Sequence, residues 1–279
     1  MKLAYSIDGR NVEVEAPDNT KFFKGDKICL SEEFSDVTSN MDWYKDGYKV
    51  IDFQEKINFD FIKSAVTKHI KEIIKKTYPF IDLNGFTLEK YHYFVNYEQN
   101  LEINKKAKRL YLQDTDFPDS EIVSFLESIL KVRLSYSPKG SNFIHWVIAR
   151  INIPNSIGYN PVHKDIYGFY DDDKYVPRMV NTWIPICGVN KNAGLGIVPG
   201  SHLIKESEIN RTKNGVIIDG RNFSVNCIKS WRDKSDLRLI FPKEGEMLMF
   251  SSHLIHGLGI NNNEDNTRVS LEFRLYQND

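Results

Sequence analysis

The sequence predicts a mainly β fold with helices (α+β), in which a helical part precedes a β core built as a sandwich or jelly roll. Three observations predict it. Apolar stripes at helical spacing run over about 58–133. Short β-rich runs separated by Gly, Pro and Asn occupy about 143–276. The character changes at Ser137-Pro138-Lys139-Gly140-Ser141, a cluster of turn formers.

Taken in order, Lys2 to Ile7 and Val12 to Val14 flank Asp8-Gly9, a dipeptide that accepts positive φ at low cost and so predicts a hairpin. Residues 1–42 are assigned to an N-terminal extension carrying it, and 43–279 to one domain. Little periodicity marks 17–46, after which 48–53 reads as a strand. Asn58 caps a helix whose Phe59, Ile62, Val66, Ile70 and Ile73 recur every three or four residues, ending before Pro79. A second helix, more weakly patterned, is expected over 88–112. A third follows Pro118-Asp119-Ser120 through Ile122, Phe125, Leu126, Ile129 and Leu130. Strands are predicted over 145–153, 179–186, 195–198, 237–241, 246–250 and 268–276.

Composition narrows the function. In 279 residues, 37 Lys+Arg stand against 38 Asp+Glu, a net charge of −1 with no dense basic cluster, so phosphate-backbone binding has no electrostatic footing and no nucleic-acid partner is expected. The start lacks a signal-like apolar run and no stretch of roughly 20 apolar residues occurs, which predicts a cytoplasmic protein without a membrane partner. Cys29, Cys187 and Cys227 have no CxxC spacing and fit a reducing compartment. No internal repeat, Gly-rich phosphate loop or nucleophile elbow is found, and Asp171-Asp172-Asp173 is read as a solvated loop.

One constellation carries chemistry. In His163-Lys164-Asp165 an extended backbone points residues i and i+2 to one face, where an imidazole and a carboxylate share one metal ion. His256 lies 91 residues beyond Asp165, at the end of the apolar run 245–257, which is read as a strand. Two His, one carboxylate and open positions form the facial triad of non-haem Fe(II) oxygenases. Arg268 follows on another strand with Ser270 on its face, and a planar fork of this kind suits the distal carboxylate of a chelating dicarboxylate cosubstrate. His253 is set aside for His256 because strand parity turns the two apart. His69, His92, His145 and His202 are read as structural, the last as a turn residue bonding backbone. Thr182, beside Trp183, is expected to border the cofactor pocket and reach cosubstrate or substrate. Tyr167, Tyr170 and Arg178, with Tyr175, fall in a charged aromatic loop where substrate would lie.

The segment from about 43 to 276 resembles the phytanoyl-CoA dioxygenase family of Fe(II)/2-oxoglutarate oxygenases. The resemblance is carried, in family order, by Asp46-Gly47-Tyr48-Lys49-Val50-Ile51, His163-Lys164-Asp165, Thr182-Trp183-Ile184-Pro185-Ile186, Gly194-Leu195-Gly196-Ile197-Val198-Pro199-Gly200-Ser201-His202, the 245–257 run, Asn261 and Arg268. It implies iron ligands His163, Asp165 and His256, cosubstrate binding by Arg268 with Ser270 as a second candidate, and a double-stranded β-helix (jelly-roll, cupin-like) core buttressed by the N-terminal helices. Its implied cofactors are Fe(II), 2-oxoglutarate and O2, and its implied reaction releases succinate and CO2. Halogenating relatives carry a small residue at the carboxylate position, so Asp165 points to hydroxylation. The expected substrate is a small or medium-sized polar metabolite. Residues 1–42 and 203–241 match the family pattern least. Two other classes use the same ligands: a non-catalytic jelly-roll module, and a zinc hydrolase, which needs neither Arg268 nor a cosubstrate.

Overall fold

The computed structural model describes residues 1–138, 146–158 and 160–278. Its core is a jelly roll of two curled sheets. One runs in the order Tyr48–Asp52, Glu246–Ser251, Met179–Cys187, Arg268–Gln277, Trp146–Asn152 and Arg109–Tyr111, with Leu134–Ser135 also paired to Arg268–Gln277. The other runs Arg10–Glu15, Lys2–Ile7, Asp236–Ile240, Ala193–Ile197, His256–Asn261 and Ser156–Gly158. Between them Trp183, Leu248 and Phe250 of the first sheet meet Leu195, Ile197 and Ile240 of the second in one apolar cluster.

The outer face of the first sheet is covered by helices. Asn58 caps Phe59–Thr77 by accepting from the Asp60 N–H at 2.9 Å, and Ile62, Ala65, Val66, Ile70 and Ile74 form its buried stripe. That stripe packs in one core with Val180, Ile184, Val269, Leu271, Phe273 and Leu275. Met179–Cys187 is therefore buried at every position, since alternate residues meet helices and roll interior. The helix expected over 88–112 is shorter: a 3-10 turn at Tyr91–Tyr93 precedes Tyr97–Ala107, which an Asn96/Gln99 capping box starts, and the chain then enters the strand Arg109–Tyr111. The third helix spans Asp119–Leu130.

The hairpin Lys2–Ile7/Arg10–Glu15 is joined to the second sheet, Lys2–Ile7 lying parallel to Asp236–Ile240. Phe23–Lys24 pairs with Ile209–Arg211. The stretch 203–241 also holds the strand Ile228–Trp231 and a small hairpin, Val216–Ile218/Arg221–Phe223. The 245–257 run is not one strand: Glu246–Ser251 ends, a turn follows, and His256 opens the next strand. Of the strand expected over 145–153, Trp146–Asn152 is observed, and His145 lies outside the described residues. Among the described residues no helix is long and apolar enough to cross a membrane.

Candidate metal centre

The backbone brings the two imidazoles together before any side chain acts. His163 and His256 form an antiparallel bridge, His163 N–H donating to His256 O at 2.8 Å and His256 N–H to His163 O at 3.0 Å. Their ring centroids are 4.3 Å apart. Asp165, in the turn two residues on, places Oδ1 3.3 Å from His163 Nε2 and Oδ2 3.6 Å from His256 Nε2. One ligand atom from each of the three lies within 4.8 Å of the others. The Nδ1 of His163 is 2.7 Å from Pro161 O and that of His256 is 2.9 Å from Leu254 O, so each Nδ1–H donates to a carbonyl and each Nε2 lone pair is left facing Asp165. This donor set fits Fe(II), holding it by one face.

The electrostatics keep the ligands in binding form. Burial alone would raise the Asp165 carboxyl, but the Arg274 guanidinium holds it well below the usual carboxylate range. Arg274 Nη2 donates to Oδ1 and Asn181 Nδ2 to Oδ2, the latter at 2.6 Å. Burial, reinforced by His163, lowers His256 to about 4 and keeps it neutral.

Arg268 fits the second requirement, an anchor for a carboxylate. It is 2% exposed, donates from Nη1 to Gly194 O at 2.6 Å and from Nη2 to Ser270 Oγ at 3.4 Å, and its buried Nε has no hydrogen-bond partner. Among the described residues no carboxylate forms an ion pair with it. A buried guanidinium without a counter-ion is costly, and an anionic ligand relieves that cost. Burial lowers its pKa to about 10, so it stays cationic at neutral pH.

Within the roll these residues are strung along two cavities. The first, about 520 Å³, is lined by the triad, Asn181, Arg274 and aromatic walls that include Trp146, Phe169, Trp183, Phe250 and Tyr276. The second, about 440 Å³, is lined by Arg268, Arg150 and Asn152, and the two share Asn160, Leu195 and Glu272.

Several expected site residues lie elsewhere. The segment after His163-Lys164-Asp165 is a short helix, Tyr167–Asp173, whose i, i+3 face turns Tyr167 and Tyr170 into an apolar core shared with Ile166, Val176 and Ile209 while Phe169 lines the cavity. Tyr167 lies under the Arg211 guanidinium at 3.9 Å, Tyr170 Oη donates to Asp26 at 3.2 Å, and Arg178 Nε donates to Ser35 O at 3.2 Å. Tyr175 is exposed. Thr182 is part of the cavity wall, but its cross-strand neighbours Met249 and Phe273 belong to the helix-side core, so the pleat turns it from the face that carries Asn181 and Trp183. Ser270 is buried behind Arg268 and lines neither cavity. Asp171-Asp172-Asp173 end the Tyr167–Asp173 helix rather than forming a solvated loop, and Asp171 accepts from Arg211 and Asn226. His202 sits in the turn Ser201–Leu203 and packs edge-on against Tyr44 at 4.7 Å, and His253 also sits on a turn, so strand parity does not decide between it and His256.

Sequence reasoning missed Asn181, Glu272, Arg274 and Tyr276 as site residues. For three of them a signal existed, because Arg268, Ser270, Glu272, Arg274 and Tyr276 alternate on one face of a single strand.

Comparison with known proteins accords with this geometry. The family described as phytanoyl-CoA dioxygenase (PhyH) matches residues 62–270. The chain belongs to that family, whose members are oxygenases of the Fe(II)- and 2-oxoglutarate-dependent type. No curated protein matches its sequence. Similar solved structures include EvdMO1 (16% identity, TM-score 0.49, 87% of this chain and 50% of that one), AviO1 from Streptomyces viridochromogenes Tue57 (14%, 0.47, 87% and 95%) and EctD from S. alaskensis in its apoform (12%, 0.44, 95% and 84%). The chain thus spans half the length of the EvdMO1 chain.

Proposed function

We propose that the protein is an Fe(II)- and 2-oxoglutarate-dependent dioxygenase that hydroxylates a small or medium-sized metabolite, with release of succinate and CO2. The observation that carries this reading is the pairing of a His163/Asp165/His256 donor set with Arg268, a buried cation in the same roll that makes no ion pair among the described residues. A hydrolytic zinc site needs the first and has no use for the second.

His163, Asp165 and His256 would hold the iron, which with 2-oxoglutarate and O2 supplies the oxidising power. The backbone carbonyls of Pro161 and Leu254 fix the two imidazole tautomers, and Arg274 and Asn181 orient the carboxylate. Arg268 anchors the far carboxylate of the cosubstrate, and Ser270 steadies the guanidinium. The aromatic cavity holds the substrate beside the triad and excludes water. Its lining favours a substrate with an apolar face for Trp146, Phe169 and Phe250 and a polar group within reach of Asn181 or Arg274.

The test is an anaerobic visible-absorption titration with Fe(II) and then 2-oxoglutarate. A saturable charge-transfer band, abolished in His256→Ala and strongly weakened in Arg268→Ala, is expected. Iron bound without any band would favour a zinc hydrolase or a non-catalytic module. Loss of the charge-assisted contact in a dry site corresponds to roughly 2 to 5 kcal/mol, so an Arg268→Ala effect below tenfold in affinity removes the anchor assignment.

A further inference from the structure

The roll interior is one groove occupied in two halves. Along Trp146–Asn152, Trp146 and Ile148 line the aromatic cavity while Arg150 and Asn152 line the other. Along Arg268–Gln277, Arg274 and Tyr276 line the aromatic cavity, Arg268 lines the other, and Glu272 lines both. The partition is an ion pair: Arg150 donates to Glu272 Oε2 from Nε at 3.1 Å and from Nη2 at 3.0 Å.

The two halves differ in charge. Among the described residues, the charged lining of the Arg268 half is Lys105, Lys108, Arg150, Arg221 and Arg268 against Glu272 alone. It runs outward from buried Arg268 to exposed Lys105, Lys108 and Leu101 on and beside the Tyr97–Ala107 helix. Arg221, on the small hairpin, donates to Tyr97 Oη at 3.0 Å and so ties the two sides of this mouth together. At the aromatic end Arg274 is already engaged by Asp165, and Arg109 lies 5.1 Å over the Trp146 ring.

We propose that the cosubstrate and the substrate enter by opposite mouths: the dianionic 2-oxoglutarate through the basic mouth at Lys105 and Lys108, directly onto Arg268, and the substrate through the aromatic one. A dicarboxylate taking the aromatic route leaves water among rings and passes the carboxylate of Asp165, whereas along the basic route cations outnumber the single carboxylate of Glu272, which Arg150 pairs. Focused charge of this kind raises association rates of an anion by one or more orders of magnitude. The inference rests on the dioxygenase reading above, because it presumes that Arg268 receives 2-oxoglutarate.

The experiment is anaerobic stopped-flow mixing of 2-oxoglutarate with the Fe(II)-loaded protein, following the charge-transfer band. K105E/K108E is expected to slow association about tenfold at low salt and flatten its salt dependence, with dissociation unchanged, while R109E at the aromatic mouth leaves both rates as they are. Leu101→Trp, which narrows the basic mouth, is expected to slow association and dissociation by the same factor. Unchanged association in K105E/K108E, or slowing in R109E instead, overturns the portal assignment. If Arg268→Ala binds 2-oxoglutarate as tightly as the wild type, the anchor on which the portal rests fails, whatever the rates at either mouth, and if the Fe(II)-loaded wild type gives no band at all, the dioxygenase reading itself fails.

Discussion

His163 and His256, 93 positions apart in the chain, exchange both backbone hydrogen bonds of an antiparallel pair, so the two imidazoles are brought together by main chain. The close approach requires Gly257. Its φ is +148°, and a Cβ there would stand 2.6 Å from Pro161 O and 2.9 Å from Val162 Cα, backbone atoms of the segment that carries His163. Gly257→Ala is expected to separate the two strands and lower Fe(II) affinity roughly 10- to 100-fold, as displaced ligand geometry does elsewhere. Competition with a colorimetric chelator reads the affinity, and far-UV circular dichroism checks that the fold survives. Unchanged affinity would show that the bridge does not set the metal geometry.

Between the two proposed ligands of its own segment, Lys164 points the other way, into a dry ionic cluster. Its Nζ donates to Glu206 Oε1 at 2.8 Å with the two side chains 0% and 1% exposed. Removing one partner strands a buried charge, so Lys164→Met or Glu206→Leu alone should cost roughly 3 to 5 kcal/mol in urea unfolding. The double variant should recover most of the loss, since a well-packed apolar pair avoids the desolvation penalty altogether. If the double variant is as unstable as the singles, packing rather than charge is the cause.

Acid should destabilise the protein well above the range in which carboxylates titrate. His253 is lowered to about 3 and His202 to about 4, each chiefly by burial and next by Lys164, from an ordinary value of 6.5. Between pH 6.5 and about 4 the unfolded chain binds protons at these sites and the folded one does not, so stability falls as pH falls through that window. The urea midpoint is expected to drop from pH 7 to pH 5, and His253→Gln to show a shallower drop. Equal slopes in variant and wild type would place the proton uptake elsewhere.

The legible parts of the sequence were those where a periodicity or a spacing has one physical meaning. The Phe59–Thr77 stripe and the alternating runs of the roll are of this kind, because burial against one neighbour imposes the period. The choice of a jelly roll over a sandwich, and the closeness of His256 to His163 and Asp165, follow from motif order rather than from any local pattern. Tyr167 and Tyr170 misled because a charged aromatic stretch read as a loop is a helix, and a helix sends residues three apart to one side. Thr182 lines the cavity wall as expected, but one step along a strand reverses the face, so Trp183 rather than Thr182 shares the interior with Leu248. Arg274 has the parity of Arg268 on one strand and bonds Asp165, a pairing that strand alternation alone does not reveal.

Arg268 is held in place by a second glycine. A Cβ on Gly259, in the facing sheet, would lie 2.7 Å from Arg268 Nη1 and 2.8 Å from Nη2, so the guanidinium occupies the space that any other residue would fill. The Arg268 stem is fully packed, and its Nη1 bond to Gly194 O at 2.6 Å leaves little room for a sideways move. Gly259→Ala is therefore expected to shift the fork and weaken 2-oxoglutarate binding about tenfold or more, while leaving Fe(II) affinity unchanged, because the triad and Arg268 line different halves of the groove. Arg268→Lys should weaken the cosubstrate comparably despite keeping the charge, since an ammonium offers no planar fork to a carboxylate. Anaerobic isothermal titration of 2-oxoglutarate into Fe(II)-loaded protein measures both variants. Full affinity in Arg268→Lys would reduce the role of Arg268 to that of a point charge, and full affinity in Gly259→Ala would mean that the guanidinium binds the cosubstrate from a position other than the one it holds against Gly259.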